Sequence, residues 1–149
     1  YAFTNLAVFF AVIAITSRTN DDSIEGLNGL LKRSPLLAGL LVFGLLSLLG
    51  MPPTVGFMAK VVIFGSAINA NLTWLAIIGV MNTVIAAYYY LRVIRAIVFE
   101  EPADESKFSV DKPVLIAAGL AAIGAGVFGV APFLLLEFAE SALSIIPGL

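Results

Sequence analysis

Two adjacent prolines, Pro52 and Pro53, interrupt an apolar run that extends over residues 35–71. Proline has no backbone N–H, and its ring clashes with the preceding helical turn, so one continuous helix cannot cover this run. Gly50 and Gly56 flank the two prolines. We therefore predict a helix break that begins at Gly50 and ends at Gly56.

The composition requires a membrane around this break. Of the 149 residues, 60% are hydrophobic and only 12% are charged, whereas a soluble domain has about 25% charged residues. Irregular backbone at membrane depth is tolerated only where it is buried in protein or lines a polar cavity. The break is therefore a candidate functional site within an all-α, polytopic transmembrane helix bundle.

The residue content excludes several kinds of site. The chain has no Cys and no His, which excludes a thiol nucleophile and a Cys-ligated iron–sulfur or zinc site. We predict no catalytic residue and no metal site. The formal net charge is −2 and the basic residues are scattered, so a nucleic-acid partner is not expected. Because the chain starts at Tyr1 without a signal region, we expect residues 1–149 to be a single membrane domain, the C-terminal part of a larger subunit.

Hydropathy predicts about four membrane spans, at residues 1–17, 35–71, 72–95 and 113–131. The second exceeds the roughly 20 residues of a straight span, so it is either two spans or one broken span with halves near 35–49 and 57–70. Basic residues occur in the connections 18–34 and 96–112. A single broken crossing puts both connections on one side, as the positive-inside rule favours. We therefore predict that both connections are cytoplasmic and that the C-terminus is on the opposite side.

Two further segments are predicted to be amphipathic helices at the membrane surface. Apolar residues at helical spacing predict a short helix of this kind within 18–34. Residues 133–146 are too short to span easily, and they carry Glu137 and Glu140 on one face. We expect this C-terminal segment to be an interfacial helix that lies on the membrane.

The glycines from Gly124 to Gly129 match the pattern GxGxxG. A dinucleotide-binding loop would follow a strand, but this motif lies inside an apolar helix. Ala118, Ala122 and Gly126 recur at steps of four residues, and small residues in such a row allow close packing of membrane helices. We therefore predict that the motif serves helix packing.

Lys60 is the ionisable residue closest to the break. It lies about 13 Å along a helix from the uncharged end near Asn69, which is too far for easy snorkelling. A low dielectric disfavours its charged form, and a helix N-terminus near Phe57 would add to this effect. We predict that Lys60 is a proton relay. The alternative is a structural lysine paired with a carboxylate from outside this chain.

Five polar residues are predicted to support this site. Ser47 and Thr54 adjoin the break and can supply hydrogen bonds. Asn5 lies near mid-membrane, where it serves either an interhelical hydrogen bond or an ion path. Asn82 and Tyr89 share a helix face with small residues, although an interfacial aromatic cluster also accounts for Tyr89.

The stretch SLLGMPPTVGFMAK at residues 47–60 and the later AAYYYLRVI at residues 86–94 resemble the antiporter-like membrane subunits of respiratory complex I, most closely the N-type subunit. The resemblance covers the whole chain, with one departure at Ala59, where the motif commonly has Gly. It implies two inverted repeats, each with a broken helix, and Lys60 as the lysine of the second one.

The resemblance further implies a bacterial inner-membrane subunit that moves protons, driven by NADH oxidation and quinone reduction elsewhere in the complex. Its partners would be other membrane subunits, lipid, protons and water. NADH, flavin, iron–sulfur clusters and quinone would be bound by partner subunits, and no cofactor or redox catalysis is expected in this chain. The alternatives are a subunit of a multisubunit cation/proton antiporter or membrane-bound hydrogenase, and a structural membrane scaffold.

Overall fold

The computed structural model describes residues 1–19, 21–102, 106–108, 110–133, 137, 138 and 141. Its main elements are six α-helices and one short 3₁₀ turn, and no described residue lies in a strand. The elements in chain order are α1 (Ala2–Thr19), the 3₁₀ turn (Glu25–Leu27), α2 (Leu30–Arg33), α3 (Pro35–Leu49), α4 (Val55–Asn69), α5 (Thr73–Phe99) and α6 (Lys112–Val130). The predicted all-α membrane fold class is confirmed.

Three helices, α1, α5 and α6, are long and apolar enough to cross a membrane. The helices α3 and α4 are also apolar, but each has only 15 residues. At 1.5 Å per residue, each of these two covers roughly 22 Å, which is less than the bilayer core of about 30 Å. Within the residues that the structure describes, there are therefore three full-length apolar helices and two short ones on either side of the proline pair.

Two predicted boundaries differ from the structure. The prediction of one amphipathic helix within 18–34 is wrong, because this segment contains the 3₁₀ turn and the four-residue α2. Gly29 separates them in the left-handed conformation (φ 63°), and its N–H is bound to the Ala96 carbonyl at 3.0 Å. Helix α5 continues beyond the expected end at residue 95 to Phe99, because Ala96 and Ile97 are buried in the core.

Helix α1 is central to the packing and runs antiparallel to both α3 and α6. Thr4, near the start of α1, is hydrogen-bonded to Ser47, near the end of α3. Against α6, Phe3 packs on Phe128, with ring centroids 5.4 Å apart. Small residues permit these close approaches. The buried positions of the two helices are largely alanines, which are Ala7, Ala11 and Ala14 of α1 and Ala118, Ala121, Ala122 and Ala125 of α6.

The two polar connections lie at the same end of the bundle. Besides the bond from Gly29 to Ala96, the Arg18 guanidinium donates to the Asp111 carboxylate at 2.6 Å. The Arg33 guanidinium lies over the Phe108 ring, 5.1 Å from its centroid. These contacts join the connection after α1 to the one before α6.

We expect Asp111→Asn to change the free energy of unfolding by no more than about 1 kcal/mol. The ion pair with Arg18 is largely solvated, since the two side chains are 43% and 71% exposed. Thermal unfolding of the detergent-solubilised protein at low and high salt measures the effect, and the small difference should vanish at high salt. A loss of several kcal/mol that persists in salt would contradict this expectation.

The predicted interfacial helix 133–146 lies mostly outside the described residues. Of the part that is described, the Ser141 hydroxyl donates to the Glu137 carbonyl at 2.8 Å. The helix itself stays a prediction.

Candidate functional site at the proline pair

Helix α3 ends at a glycine in the left-handed conformation. Gly50 has φ +87°, which L-residues with a side chain rarely adopt. Its N–H is bound to the carbonyls of Leu46 and Ser47 at 3.0 Å, and the N–H of Met51 is bound to Leu46 at the same distance. This is the Schellman arrangement, which satisfies the carbonyls one turn before the helix end.

The carbonyls of Leu48 and Leu49 remain outside this arrangement. In a continuing helix they would accept from the N–H groups of residues 52 and 53, four positions later. Both of those residues are prolines and have no N–H. The proline pair thus leaves two adjacent carbonyls without their helical donors.

Lys60 supplies the missing donor from α4. Its Nζ donates to the Leu49 carbonyl at 2.6 Å and to the Leu48 carbonyl at 3.2 Å. A positive charge is electrostatically favourable at this C-terminal end of α3. The bonds of Lys60 are thus with the C-terminal end of α3, and the expected additional influence of a helix N-terminus near Phe57 stays a prediction.

Two glycines let the ends of α3 and α4 overlap closely. A Cβ at Gly50 would lie 2.9 Å from Lys60 Cδ and 3.0 Å from Nζ. A Cβ at Gly56 would overlap the Ser47 carbonyl, with its carbon 2.8 Å away. Gly56 lies within the first turn of α4, so the interruption ends at Thr54 and is shorter than predicted. Gly56 is needed for close packing and does not take part in the break.

Helix α6 covers the break from the other side. Thr54 is buried, and its hydroxyl donates to the Met51 carbonyl at 2.7 Å. Gly129 lies directly against this segment: a Cβ there would be 2.5 Å from the Thr54 carbonyl carbon and from the Val55 nitrogen. The last glycine of the GxGxxG motif therefore serves helix packing, as predicted.

A cavity of about 230 Å³ lies beside Lys60. It is formed between α1, α3 and α4, and its lining comprises Tyr1, Thr4, Ser47, Leu48, Gly56, Ala59, Lys60 and Ile63. Ser47 and Thr4 are both buried, and their hydroxyl oxygens are 3.1 Å apart. The cavity brings Lys60 and Ser47, two residues singled out from the sequence, onto one surface.

Thr4 is the residue that sequence reasoning missed. Its signal is positional, because Thr4 continues the buried row of Ala7, Ala11 and Ala14 along one face of α1. A buried hydroxyl needs a hydrogen-bond partner, and the partner of Thr4 is Ser47 on α3.

The other three predicted polar residues are not brought to this site. The Asn5 side chain donates to the carbonyl of Tyr1, the residue before α1, at 3.1 Å. Asn82 is exposed on α5. Tyr89 is 61% exposed, and its ring meets that of Tyr88 edge to face at 5.6 Å. Their functional roles stay predictions.

Metal ligands are not clustered in the described part of the chain, where no group of three His, Cys, Asp or Glu side chains could hold an ion. The chemistry that the site offers is therefore that of one amine, two backbone carbonyls and neighbouring hydroxyls. Such groups can hold, give and accept protons.

Comparison with known proteins places this chain in a family. The NADH:quinone oxidoreductase/Mrp antiporter transmembrane family model matches residues 1–86. The chain is 38% identical over 146 residues to NADH-quinone oxidoreductase subunit N of Dehalococcoides mccartyi, covering 98% of this chain and 30% of the relative. It is 42% identical over 108 residues to the subunit N of Hydrogenovibrio crunogenus, covering 72% and 23% of the two chains.

The fold is also similar to a chain of respiratory complex I from Thermus thermophilus, solved with bound aureothin. The TM-score is 0.76 at 27% identity, and the match covers 91% of this chain and 33% of that one. The chain thus spans about a third of the length of the relatives it matches. Since the family match includes 86 of the 149 residues, the chain belongs to the NADH:quinone oxidoreductase/Mrp antiporter transmembrane family.

Proposed function

We propose that this chain is part of an antiporter-like, proton-translocating membrane subunit of an NADH-quinone oxidoreductase, and that Lys60 relays protons in it. The observation that carries the proposal is the pairing of the Lys60 amine with the two carbonyls that the proline pair leaves without donors. An amine held at a helix end beside a cavity can exchange a proton without leaving its place.

We further propose that α3 and α4 together make one broken crossing. The start of α3 lies at the end of the bundle where the two polar connections meet. Helix α4 then packs on the N-terminal half of α5, where a Cβ at Gly79 would lie 2.5 Å from the Phe64 ring. Two short helices that continue one another span the distance that neither covers alone.

The membrane, the orientation and the partners of the chain are inferred from its family and from the distribution of its basic residues. In a bacterial inner membrane, the positive-inside rule favours a cytoplasmic location for the connections 18–34 and 96–112, with the C-terminus on the opposite side. The partners would be other membrane subunits of the complex, lipid, protons and water. NADH, flavin, iron–sulfur clusters and quinone would be held by partner subunits. For the clusters the reason is that this sequence has no Cys or His to ligate one.

Substitution of Lys60 tests the proposal in the full-length subunit within the assembled complex. Inverted membrane vesicles are given NADH and quinone, and both NADH oxidation and acidification of the lumen are measured. We expect Lys60→Ala and Lys60→Arg each to lower the protons moved per NADH by about tenfold or more. Arginine keeps the charge but does not deprotonate, so it should block a relay as effectively as alanine.

Lys32→Ala is the matched control, because Lys32 is exposed on α2 in the polar connection. It should move protons as the unaltered complex does. Normal proton movement in Lys60→Ala would contradict the relay and favour a structural scaffold.

The alternative function is that of a cation/proton antiporter or membrane-bound hydrogenase subunit, because the matched family includes Mrp antiporters. Measurements in the same vesicles distinguish these two functions from that of an NADH-quinone oxidoreductase. A sodium gradient that drives proton movement without NADH would favour the antiporter, and proton movement that requires NADH and quinone would favour the oxidoreductase. Hydrogen-dependent proton movement would identify the hydrogenase.

A further inference from the structure

Helix α5 has one face that stays exposed along its whole length. The residues of this face recur at steps of three and four, and they are Trp74, Ile77, Met81, Val84, Tyr88, Arg92, Arg95 and Phe99. Trp74 and Arg92 are about 27 Å apart along the helix axis, which is close to the roughly 30 Å of a bilayer core. A tryptophan at one end, apolar side chains between and arginines at the other end are typical of a helix face that contacts lipid.

The two arginines of this face line a polar pocket at the end of α5. Its volume is about 300 Å³, and its lining comprises Ile24, Glu25, Asn28, Arg92, Arg95, Ala96 and Glu100. The pocket forms where the connection after α1 packs on α5, held there by the bond from the Gly29 N–H to the Ala96 carbonyl. It therefore lies at the level at which phospholipid headgroups would meet the exposed face of α5.

The pocket has one unpaired charge of each sign. The Arg95 Nε donates to the Glu100 carboxylate at 3.1 Å, so these two charges offset each other. Among the described residues, the Arg92 guanidinium and the Glu25 carboxylate have no ion-pair partner. Arg92 and Glu25 are both exposed, so a small ligand can reach them.

We propose that this pocket binds the headgroup of phosphatidylethanolamine, with the phosphate on Arg92 and the primary ammonium on Glu25. A guanidinium can pair with phosphate oxygens through two parallel N–H···O bonds. A primary ammonium has three N–H donors, and a carboxylate only accepts. The acyl chains extend along the exposed face of α5, from Tyr88 toward Val84. The bound lipid thus joins the connection after α1 to the end of α5.

Two other common classes of phospholipid are less complementary to the pocket. Clusters of basic residues alone favour anionic lipids, but phosphatidylglycerol has no cation to meet the Glu25 carboxylate. Phosphatidylcholine carries a quaternary ammonium, which has no N–H to donate. Arg92 should therefore act on every phospholipid through the phosphate, whereas Glu25 should act on the choice of headgroup.

The test uses the full-length subunit in the assembled complex, reconstituted into vesicles of ethanolamine, glycerol and choline phospholipids in equal amounts. A trace of one of the three lipids carries a diazirine at the headgroup end of one acyl chain and is photolysed. Mass spectrometry of the digested subunit then quantifies the label on residues 84–99. We expect the ethanolamine probe to label this segment about threefold more than either other probe.

Substitutions separate the phosphate contact from the ammonium contact. Arg92→Gln should lower labelling by all three probes about threefold. Glu25→Gln should lower labelling by the ethanolamine probe to the level of the choline probe and should raise labelling by the glycerol probe. The matched controls are Lys32→Gln and Asp22→Asn, which remove exposed charges outside the pocket lining. Both controls should be labelled as the unaltered subunit is.

Strongest labelling by the glycerol probe would overturn the proposal in favour of an anionic-lipid site. Equal labelling by the three probes, or no label on residues 84–99, would overturn a headgroup site altogether. A Glu25→Gln subunit that keeps the ethanolamine preference would also overturn the proposal, as would an equal loss of labelling in Lys32→Gln and Arg92→Gln.

Cryo-electron microscopy of the unaltered complex in the same lipids gives a second readout that needs no variant. Headgroup density is expected in contact with both Arg92 and Glu25. An empty pocket, or a protein side chain in place of the headgroup, would overturn the proposal.

Discussion

Gly56→Ala is expected to destabilise the subunit and to lower the amount of assembled complex. The new Cβ would overlap the Ser47 carbonyl, with its carbon 2.8 Å away. Both contacts are with main chain, so no side-chain rotamer relieves the overlap, and α4 must move away from α3. Overpacking of this kind costs about 1–3 kcal/mol and occasionally more. Because the movement also withdraws Lys60 from Leu48 and Leu49, we expect loss of assembled complex and of proton movement together.

Gly65→Ala in the same helix is the matched control. A Cβ at Gly65 meets no atom within 4 Å, and alanine favours a helix over glycine by about 1 kcal/mol. The variant should assemble at least as well as the unaltered subunit. Quantitation of the subunit in purified complexes, with their thermal midpoint, measures both variants. Equal behaviour of the two would refute the close contact between α3 and α4.

Gly129→Ala is expected to have the second largest effect. A Cβ at this position would be 2.5 Å from the Thr54 carbonyl carbon and from the Val55 nitrogen. The substitution therefore forces α6 away from the start of α4, at a cost of about 1–3 kcal/mol. We expect a lower thermal midpoint and weaker proton movement, since the segment that ends the break loses its cover.

The control for this prediction is Gly119→Ala, also in α6, where a Cβ meets nothing within 4 Å. It should match the unaltered protein in the same two measurements. A Gly129→Ala complex that is as stable as Gly119→Ala would contradict the direct contact between α6 and the break.

Much of the fold could be predicted from hydropathy and from the proline pair. Long apolar runs give α1, α5 and α6 to within a few residues, because membrane helices need length and apolarity above all. The end of α5 could not be predicted, because Arg95 resembles an interfacial terminus. Burial of Ala96 and Ile97 against other helices extends it. The segment after α1 was also missed, since its apolar spacing is helical and the bond between Gly29 and Ala96 is a tertiary contact.

The residues at the centre of the candidate site could be picked out from the sequence, but their contacts could not. Lys60 and the two prolines are evident from their residue types. The pairing of Lys60 with Leu48 and Leu49 depends on how far α3 and α4 overlap, which no local pattern encodes. Gly56 was assigned to the break, because a sequence does not distinguish a glycine for chain reversal from one for close approach.

Thr4 could not be found without knowing which face of α1 meets α3. The GxGxxG motif was correctly assigned to packing, yet its specific contact with Thr54 required the three-dimensional arrangement. Long-range contacts of this kind are set by the docking of whole helices.

The two carbonyl bonds of Lys60 define what its amine can do. An ammonium has three N–H donors, and Leu48 and Leu49 take two of them. A neutral amine keeps two N–H donors and gains one lone pair, so both carbonyls stay satisfied after the proton leaves. Lys60 can thus change its protonation state while both bonds to the end of α3 stay in place. The change affects only the third position of the amine, which is an N–H donor in the ammonium and a lone-pair acceptor in the neutral amine.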